Sequence, residues 1–133
     1  MAKKEEQRAK NEAYMLAKAE EPQIKRLDGG VLYEVIASGD AGRCPTAASV
    51  VTLHYRGKLI NGREFDNSYK RNCPEAMRVT DLIEGFGIAL QSMHIGDHWI
   101  VYIPYQLGYG TRDSGPIPAY STLIFEMELV AIM

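Results

Sequence analysis

Several features are scarce in this chain, and each scarcity excludes a class of protein. Only two of the 133 residues are cysteine, Cys44 and Cys73, too few for a disulfide-stapled scaffold. No apolar run approaches the ~20 residues of a membrane-spanning helix, and the start MAKKEEQRAK lacks the apolar stretch of a secretory signal. We therefore expect a soluble chain with reduced thiols, cytoplasmic, or periplasmic if a leader has been removed.

An excess of charge of one sign is also missing. Fifteen Lys and Arg against seventeen Asp and Glu leave a formal net charge of -2. Such a balance gives no positive field to recruit nucleic acid or an anionic membrane, so we expect neither as a partner. His94 and His98 flank the turn Gly96-Asp97 and are not expected to converge, and no cofactor motif is present, so we predict neither metal nor cofactor.

Residues 3 to about 20 are rich in Lys, Glu and Ala and contain neither Gly nor Pro, which predicts a solvated helix ending before Pro22. This divides the chain into a charged helix, residues 1–22, and a domain, residues 23–133. The helix either lies on the domain, which we favour, or forms a dimerisation stalk, so we expect a monomer or a weak dimer. Its thin apolar stripe is predicted to be Ala9, Ala13, Leu16 and Ala17, with Tyr14 and Met15 beside it.

The domain itself is patterned mostly as strands. Alternating or continuous apolar residues predict strands over residues 31–37, 49–59, 98–104 and 122–132. Asn61-Gly62 predicts a tight hairpin turn with two positive φ angles. One helix is predicted, from Asp81 to Ser92 with Thr80 as its N-cap, because apolar residues recur there at helical spacing. The pattern indicates an α+β fold, one twisted antiparallel sheet around one short helix, with the N-terminal helix added.

Two segments combine aromatic residues with a single acid: HYRGKLINGREFD, residues 54–66, and IPAYSTLIF, residues 117–125. The hairpin turn brings the two ends of the first segment together. The set consists of Tyr55, Phe65, Asp66 and Phe125. These rings could be ordinary core residues, but their grouping with one acid indicates an apolar pocket with a polar rim.

The chain resembles a known family through four motifs in order: VTLHYRGKLINGREFDNS, LIEGFGIALQSMHIGD, VYIPYQLGYG and IPAYSTLIFEMEL. They are similar to those of FKBP-type peptidyl-prolyl cis-trans isomerases, most closely the bacterial macrophage-infectivity-potentiator-like branch. The resemblance covers roughly residues 30–132. It implies a five- or six-stranded antiparallel sheet wrapped on a short helix, with the substrate proline entering between them.

The resemblance also implies the site residues. Five would be catalytic: Tyr55, Phe65, Asp66, Tyr109 and Phe125. Six would bind substrate: Arg71, Met77, Leu82, Ile83, Phe86 and Ile117. Asp66 would be tied to Arg71 and to the Tyr55 hydroxyl, and Tyr109 would donate its hydroxyl to a ligand carbonyl. Phe86 would form the pocket floor, where the family usually has a larger tryptophan, and Met77 stands on a wall that is commonly aromatic.

Rotation about an X-Pro amide breaks resonance over a barrier of about 18–20 kcal/mol without making or cleaving a bond. A dry aromatic pocket suits this task because the twisted amide has lost the charge separation of the planar one. The expected partners are proline-containing peptides and unfolded clients, with tacrolimus- or rapamycin-like macrolides as inhibitors. The alternative is a peptide-holding chaperone module that uses the same groove with little or no turnover.

Overall fold

The structure is a computed structural model that describes residues 2–40 and 42–133, and in these ranges two α-helices and seven β-strands follow one another. The helices are α1 (Ala2–Ala19) and α2 (Glu84–Leu90). The strands are β1 (Lys25–Arg26), β2 (Leu32–Ala37), β3 (Val50–Lys58), β4 (Glu64–Asn67), β5 (Glu75–Arg78), β6 (His98–Ile103) and β7 (Leu123–Ile132). No helix within the described ranges has both the length and the apolar character to cross a bilayer.

All strand pairs are antiparallel, in the order β1, β2, β6, β7, β3, β4. The second edge of the long strand β3 is shared, because β4 pairs with residues 56–58 and β5 pairs with residues 50–53. The predicted α+β class with one antiparallel sheet is confirmed. The sheet has seven strands because the two-residue β1 extends one edge and β5 shares an edge with β4.

The two faces of the sheet are covered by different helices. The inner face packs on α2 and carries the fully buried Leu53, Val101 and Met127. On the outer face, Tyr102 and Ile124 form a second apolar cluster under α1. Strand β6 therefore reads as apolar on nearly every residue because each of its faces meets a helix over part of its length.

Helix α2 is shorter than predicted. Thr80 lies in a 3-10 turn, Val79–Asp81, and the following Leu82 is extended, so α2 begins at Glu84 without a side-chain cap. The prediction that Thr80 caps the helix is wrong. The apolar spacing continues through the 3-10 turn because its apolar side chains also point to the core. Spacing alone therefore does not distinguish this 3-10 turn from the first turn of an α-helix.

The turn at Asn61-Gly62 is also a different type from the one predicted. The Leu59 carbonyl accepts from the Gly62 N–H (2.9 Å), and the Leu59 N–H donates to the Arg63 carbonyl (2.9 Å). Of the two turn residues only Gly62 has a positive φ, 88°, so the loop is a turn closed by a glycine bulge. Asn61 instead uses its side chain, because its Oδ1 accepts from the Arg63 N–H at 2.9 Å.

Helix α1 lies on the outer face of the sheet, but not through the stripe that the sequence predicts. Ala9, Ala13, Leu16 and Ala17 are all exposed, and Leu16 is 72% exposed. The packed side instead carries Tyr14, Met15 and Ala19, which contact the cluster of Leu32, Tyr102 and Ile124. The stripe prediction is wrong because small alanines carry little apolar surface, so they do not decide which face is buried.

The centre of the α1 contact is polar. Asn11 is 1% exposed, and its Oδ1 accepts from the backbone N–H of Thr122 at 2.7 Å. Its Nδ2 donates to the Gln7 carbonyl at 2.8 Å, so both ends of the amide are paired. A buried amide is tolerated only when it is hydrogen-bonded in this way. The contact therefore depends on the exact position of one backbone N–H that is 111 residues away.

Asn11→Ala should lower the free energy of unfolding by about 1–3 kcal/mol, because it leaves the buried Thr122 N–H without an acceptor. Leu16→Ala, on the exposed side of the same helix, should change it by less than about 0.5 kcal/mol. Urea denaturation of both variants measures the difference. A larger loss for Leu16→Ala would show that the other face of α1 is the packed one.

Candidate functional site

A cavity of about 520 Å³ opens between the inner face of the sheet and the start of α2. All three phenylalanines of the chain line it. The lining residues are Tyr55, Phe65, Asp66, Met77, Asp81, Leu82, Ile83, Phe86, Tyr109, Ser114, Gly115, Pro116, Ile117 and Phe125. The cavity is thus a largely apolar bowl whose polar side chains are two acids, Asp66 and Asp81, and the hydroxyl-bearing residues Tyr55, Tyr109 and Ser114.

The floor of the cavity is a set of aromatic rings in edge-to-face contact. Phe86 on α2 is 3% exposed, and its ring centre lies 4.8 Å from that of Phe125 on β7 and 5.9 Å from that of Tyr55 on β3. Phe65 on β4 adds a further ring, 5.6 Å from Phe125. Aromatic pairs favour this edge-to-face arrangement over face-to-face stacking. The floor is therefore apolar and closely packed.

Gly57 makes this packing possible, and sequence reasoning did not identify it. A Cβ at this position on β3 would lie 2.6 Å from Phe65 Cζ and 2.7 Å from Phe125 Cε1. Both rings therefore lie directly over the Gly57 backbone. The signal in the sequence was a glycine inside a strand, which often marks a close approach of another group.

Asp66 lies at the rim of the cavity with its acceptors engaged. The Tyr55 hydroxyl donates to Oδ2 (2.6 Å), the Arg71 guanidinium donates to Oδ1 (2.9 Å), and the Asn67 N–H also reaches Oδ1 (2.9 Å). Arg71 is in turn paired with Glu75 at 3.0 Å. These contacts fix the direction of the Tyr55 ring, since its hydroxyl is tied to a carboxylate that is itself held on both oxygens.

The charges at the rim are stable around neutral pH. Partial burial acts to raise the pKa of the Asp66 carboxyl, but hydrogen bonds from Tyr55 and Arg71 outweigh it and hold that pKa below its usual range. Burial together with the bond to Asp66 raises the pKa of Tyr55 to about 12. Around neutral pH, Asp66 is therefore an anion and Tyr55 a neutral donor.

One wall of the cavity is the segment 105–122, which carries Tyr109 and Ile117. Tyr109 is 42% exposed and lines the cavity, whereas Ile117 is 5% exposed and forms the base of the wall. Ser114 and Ile117 exchange two backbone hydrogen bonds, of 2.8 and 2.9 Å, which close a small loop over residues 114–117. The loop residues Ser114, Gly115 and Pro116 complete the lining.

Helix α1 holds both ends of this wall segment. At the start, the Tyr105 hydroxyl donates to Glu12 Oε2 at 3.0 Å. At the end, Asn11 accepts from Thr122, and the Arg8 guanidinium lies 5.6 Å from the centre of the Tyr120 ring. The outer-face helix is thus connected to a wall of the cavity on the inner face.

The structure brings together the residues that the resemblance singles out, with one exception. Ten of the eleven line the cavity, whereas Arg71 contacts it only through Asp66. Four lining residues had not been assigned to the site: Asp81, Ser114, Gly115 and Pro116. Asp81 directly precedes the predicted Leu82-Ile83 pair, so its place in the chain was the available signal.

The two histidines that flank the Gly96-Asp97 turn have different partners. His98 Nε2 lies 2.7 Å from Glu126 Oε2, and His94 Nε2 lies 3.5 Å from Cys44 Sγ. In the part of the chain that the structure describes, no group of three or more His, Cys, Asp and Glu side chains is arranged to hold a metal ion.

Comparison with known families gives a match over residues 42–130 to the FKBP-type peptidyl-prolyl cis-trans isomerases. This range includes β3 to β6, α2, most of β7 and all the cavity residues. The chain belongs to the FKBP-type peptidyl-prolyl cis-trans isomerase family.

Curated relatives place this FKBP-type chain in the macrophage-infectivity-potentiator-like branch, as predicted. It is 40% identical over 120 residues to the "Macrophage infectivity potentiator" of Trypanosoma cruzi, covering 90% of this chain and 61% of that protein. It is 38% identical over 124 residues to the "Peptidyl-prolyl cis-trans isomerase Mip" of Coxiella burnetii, covering 92% and 54%. The chain thus spans between half and two thirds of the length of these relatives.

Solved structures agree with this placement. A crystal structure of a peptidyl-prolyl cis-trans isomerase from Pseudomonas syringae pv. tomato superposes with a TM-score of 0.89 at 31% identity, covering 96% of this chain and 94% of that one. The crystal structure of FkpA from Escherichia coli superposes with a TM-score of 0.88 at 36% identity, covering 98% and 63%. Coverage of this extent includes residues of α1, which lie outside the family match.

Gly57→Ala should distort the aromatic floor of this FKBP-type site, because the added methyl overlaps two rings. We expect a loss of about 1–3 kcal/mol in unfolding free energy from overpacking, together with weaker binding of a proline-containing peptide. Gly42→Ala is the matched control, because a Cβ there has nothing within 4 Å and its φ is not positive. Calorimetric peptide titration and urea denaturation report the two effects, and normal binding by Gly57→Ala would contradict the role of this glycine.

The Asp66 interactions should give a defined pH dependence. Since the native pKa lies below the ordinary value of about 3.9, the stabilisation is complete above about pH 5 and is lost as the pH falls through the ordinary carboxyl range. The difference in unfolding free energy between the wild type and Asp66→Asn should therefore shrink as the pH is lowered from about 5 to about 3, across the ordinary carboxyl pKa. Denaturation at several pH values measures it, and a difference that grows on acidification would contradict the lowered pKa.

Proposed function

We propose that this chain catalyses the cis-trans isomerisation of X-Pro bonds in peptides and unfolded proteins. The observation that carries the proposal is the packed aromatic floor of Phe65, Phe86 and Phe125 joined to a rim whose carboxylate is fully engaged. Such a site offers a prolyl ring an apolar seat and offers no nucleophile. Those are the requirements of a rotation that makes and breaks no covalent bond.

The floor selects and orients the substrate. A prolyl ring seated on Phe86, between Phe125 and Tyr55, leaves the X-Pro amide in the dry part of the cavity. There the planar amide, with its charge separation, loses solvation relative to the twisted amide, so the barrier to rotation falls. Lowering the barrier by about 7 kcal/mol would accelerate rotation about 10⁵-fold.

Polar groups at the rim then hold the peptide on either side of the rotating bond. Tyr109 is partly exposed and lines the cavity, and its hydroxyl would donate to a substrate carbonyl. On the other side, Leu82 uses its N–H internally, donating to the Val79 carbonyl at 3.2 Å. Ile83 follows it, lines the cavity, and its carbonyl accepts from the Phe86 and Gly87 N–H groups of α2 at 3.1 and 3.2 Å. Fixing both sides of the bond confines the motion to one torsion.

The Asp66, Arg71 and Tyr55 network acts as a positioning group in this scheme. Its hydrogen bonds keep the Tyr55 ring against Phe86 and place a negative charge beside the cavity. No proton transfer is needed from Asp66.

Macrolides of the tacrolimus or rapamycin type, which would compete for the same apolar seat, are proposed as inhibitors.

A peptide-holding module is the second candidate, and the Met77 wall favours it. Met77 on β5 is half-buried and lines the cavity where an aromatic residue is common in the family. A thioether side chain adapts to varied shapes, which suits holding diverse unfolded segments more than fixing one torsion. Both candidates use the same cavity and differ in turnover.

An isomerase assay on an Ala-Leu-Pro-Phe peptide, by NMR exchange or protease coupling, separates the two. The wild type should accelerate the isomerisation well above buffer, and excess tacrolimus should abolish the acceleration. Tyr109→Phe and Asp66→Val should each lower kcat/KM by roughly tenfold or more, a loss of about 1.4 kcal/mol. No acceleration by the wild type would reject the enzyme, and retained binding of unfolded protein would then favour the holding module.

A further inference from the structure

A nucleophile and a base meet away from the prolyl cavity. Cys44 Sγ lies 3.5 Å from Nε2 of His94, although the two residues are 50 positions apart in the chain. Cys44 is partly exposed, and the His94 side chain is 39% exposed, so a small molecule can reach both. Neither residue lines the cavity of the proposed isomerase site.

A buried carboxylate positions this pair. Asp97 is 6% exposed, and its Oδ2 accepts from the His94 backbone N–H at 2.8 Å. Its Oδ1 accepts from the Gly39 N–H at 2.7 Å. One carboxylate therefore ties the segment that leads towards Cys44 to the turn that carries His94.

The two segments are also in direct backbone contact. The Asp40 N–H donates to the Ile95 carbonyl at 3.0 Å, and a Cβ on Gly39 would lie 2.0 Å from that same carbonyl oxygen. Only glycine allows so close an approach. These backbone contacts, together with Asp97, hold Gly39 and Asp40 against the turn that carries His94.

Asp97 also lies near the imidazole. Its Oδ2 is 3.6 Å from His94 Nδ1, whereas Cys44 Sγ is 3.5 Å from Nε2, the other ring nitrogen. A negative charge near Nδ1 favours the tautomer with the proton on that nitrogen, which leaves Nε2 able to accept the thiol proton. A nucleophile, a base within reach and a third group near the base are the parts of an activated thiol.

We propose that Cys44 is a nucleophilic thiol, activated by His94, that undergoes exchange with small-molecule disulfides. His94 Nε2 takes the Cys44 proton, and the thiolate attacks one sulfur of the disulfide. A new bond forms from Cys44 Sγ to that sulfur while the original sulfur-sulfur bond breaks, and the second thiolate leaves and takes up the proton. The product is a mixed disulfide on Cys44, and no further oxidant is required.

The other cysteine is an internal control. Cys73 is exposed, and its Sγ donates to the Pro74 carbonyl at 3.5 Å. The imidazole of His54 is engaged elsewhere, 2.9 Å from Ser68 Oγ and stacked on Tyr69. Accessibility alone therefore predicts that Cys73 reacts faster, whereas activation by His94 predicts that Cys44 does.

The test uses the full chain as Cys73→Ser, which keeps Cys44, and as Cys44→Ser, which keeps Cys73. Stopped-flow reaction with dithiobis(nitrobenzoic acid), which releases a coloured thiolate, should be at least about tenfold faster for Cys44 than for Cys73 at pH 7. Mass spectrometry after incubation with oxidised glutathione should place the adduct on Cys44.

His94→Gln, added to the Cys73→Ser variant and to the Cys44→Ser variant, tests whether His94 is the source of the Cys44 reactivity. It should slow Cys44 by about tenfold or more, towards the rate of an ordinary thiol, and leave Cys73 unchanged. Equal rates for the two cysteines, or an unchanged Cys44 rate in His94→Gln, would overturn the proposal. An unchanged urea midpoint for His94→Gln verifies the fold, and the thiol readout is independent of isomerase activity.

Discussion

The close approach of α2 to the inner face of the sheet is the contact on which the rest of the site depends. A Cβ on Gly85 would lie 2.4 Å from Ile103 Cγ2, so the helix reaches β6 only because this residue has no side chain. The approach buries Phe86 against Phe125 and Tyr55 and leaves the cavity at the helix start. Glycine weakens a helix by about 1 kcal/mol, but at position 85 its lack of a side chain allows the close contact with β6.

The contacts on the two faces of the sheet are connected through helix α1 and the wall segment 105–122. On the inner side, α2 and the aromatic rings make the floor of the cavity. On the outer side, α1 covers Tyr102 and Ile124 and reaches around to the ends of the wall segment through Asn11 and Glu12. The wall that carries Tyr109 and Ile117 is therefore fixed from outside the domain core, although α1 contributes no residue to the cavity lining.

Local patterns predicted the main strands because alternation along a strand is a property of neighbouring residues. Strands β2, β3, β6 and β7 begin and end within a residue of their predicted limits. The residue pattern did not predict the short strands β1, β4 and β5, because two to four residues give too little pattern. The Asn61-Gly62 turn was located correctly, but its bulged form depends on the pairing register of β3 and β4, which is a tertiary property.

The aromatic and acidic composition of the site was readable from the sequence, and family resemblance assigned ten of its lining residues. The polar contacts that organise the molecule were not readable in the same way. Asn11 has no apolar signal, and its burial depends on a backbone N–H in Thr122.

By itself, the sequence determined the fold class, the strand pattern and the chemical character of the pocket, because these follow from residue type and local spacing. Only the tertiary structure decided which face of α1 is buried, why Gly57 must lack a side chain and that Cys44 meets His94. Those features join residues far apart in the chain. Their distances are set by the packing of backbone and rings, about which local periodicity carries no information.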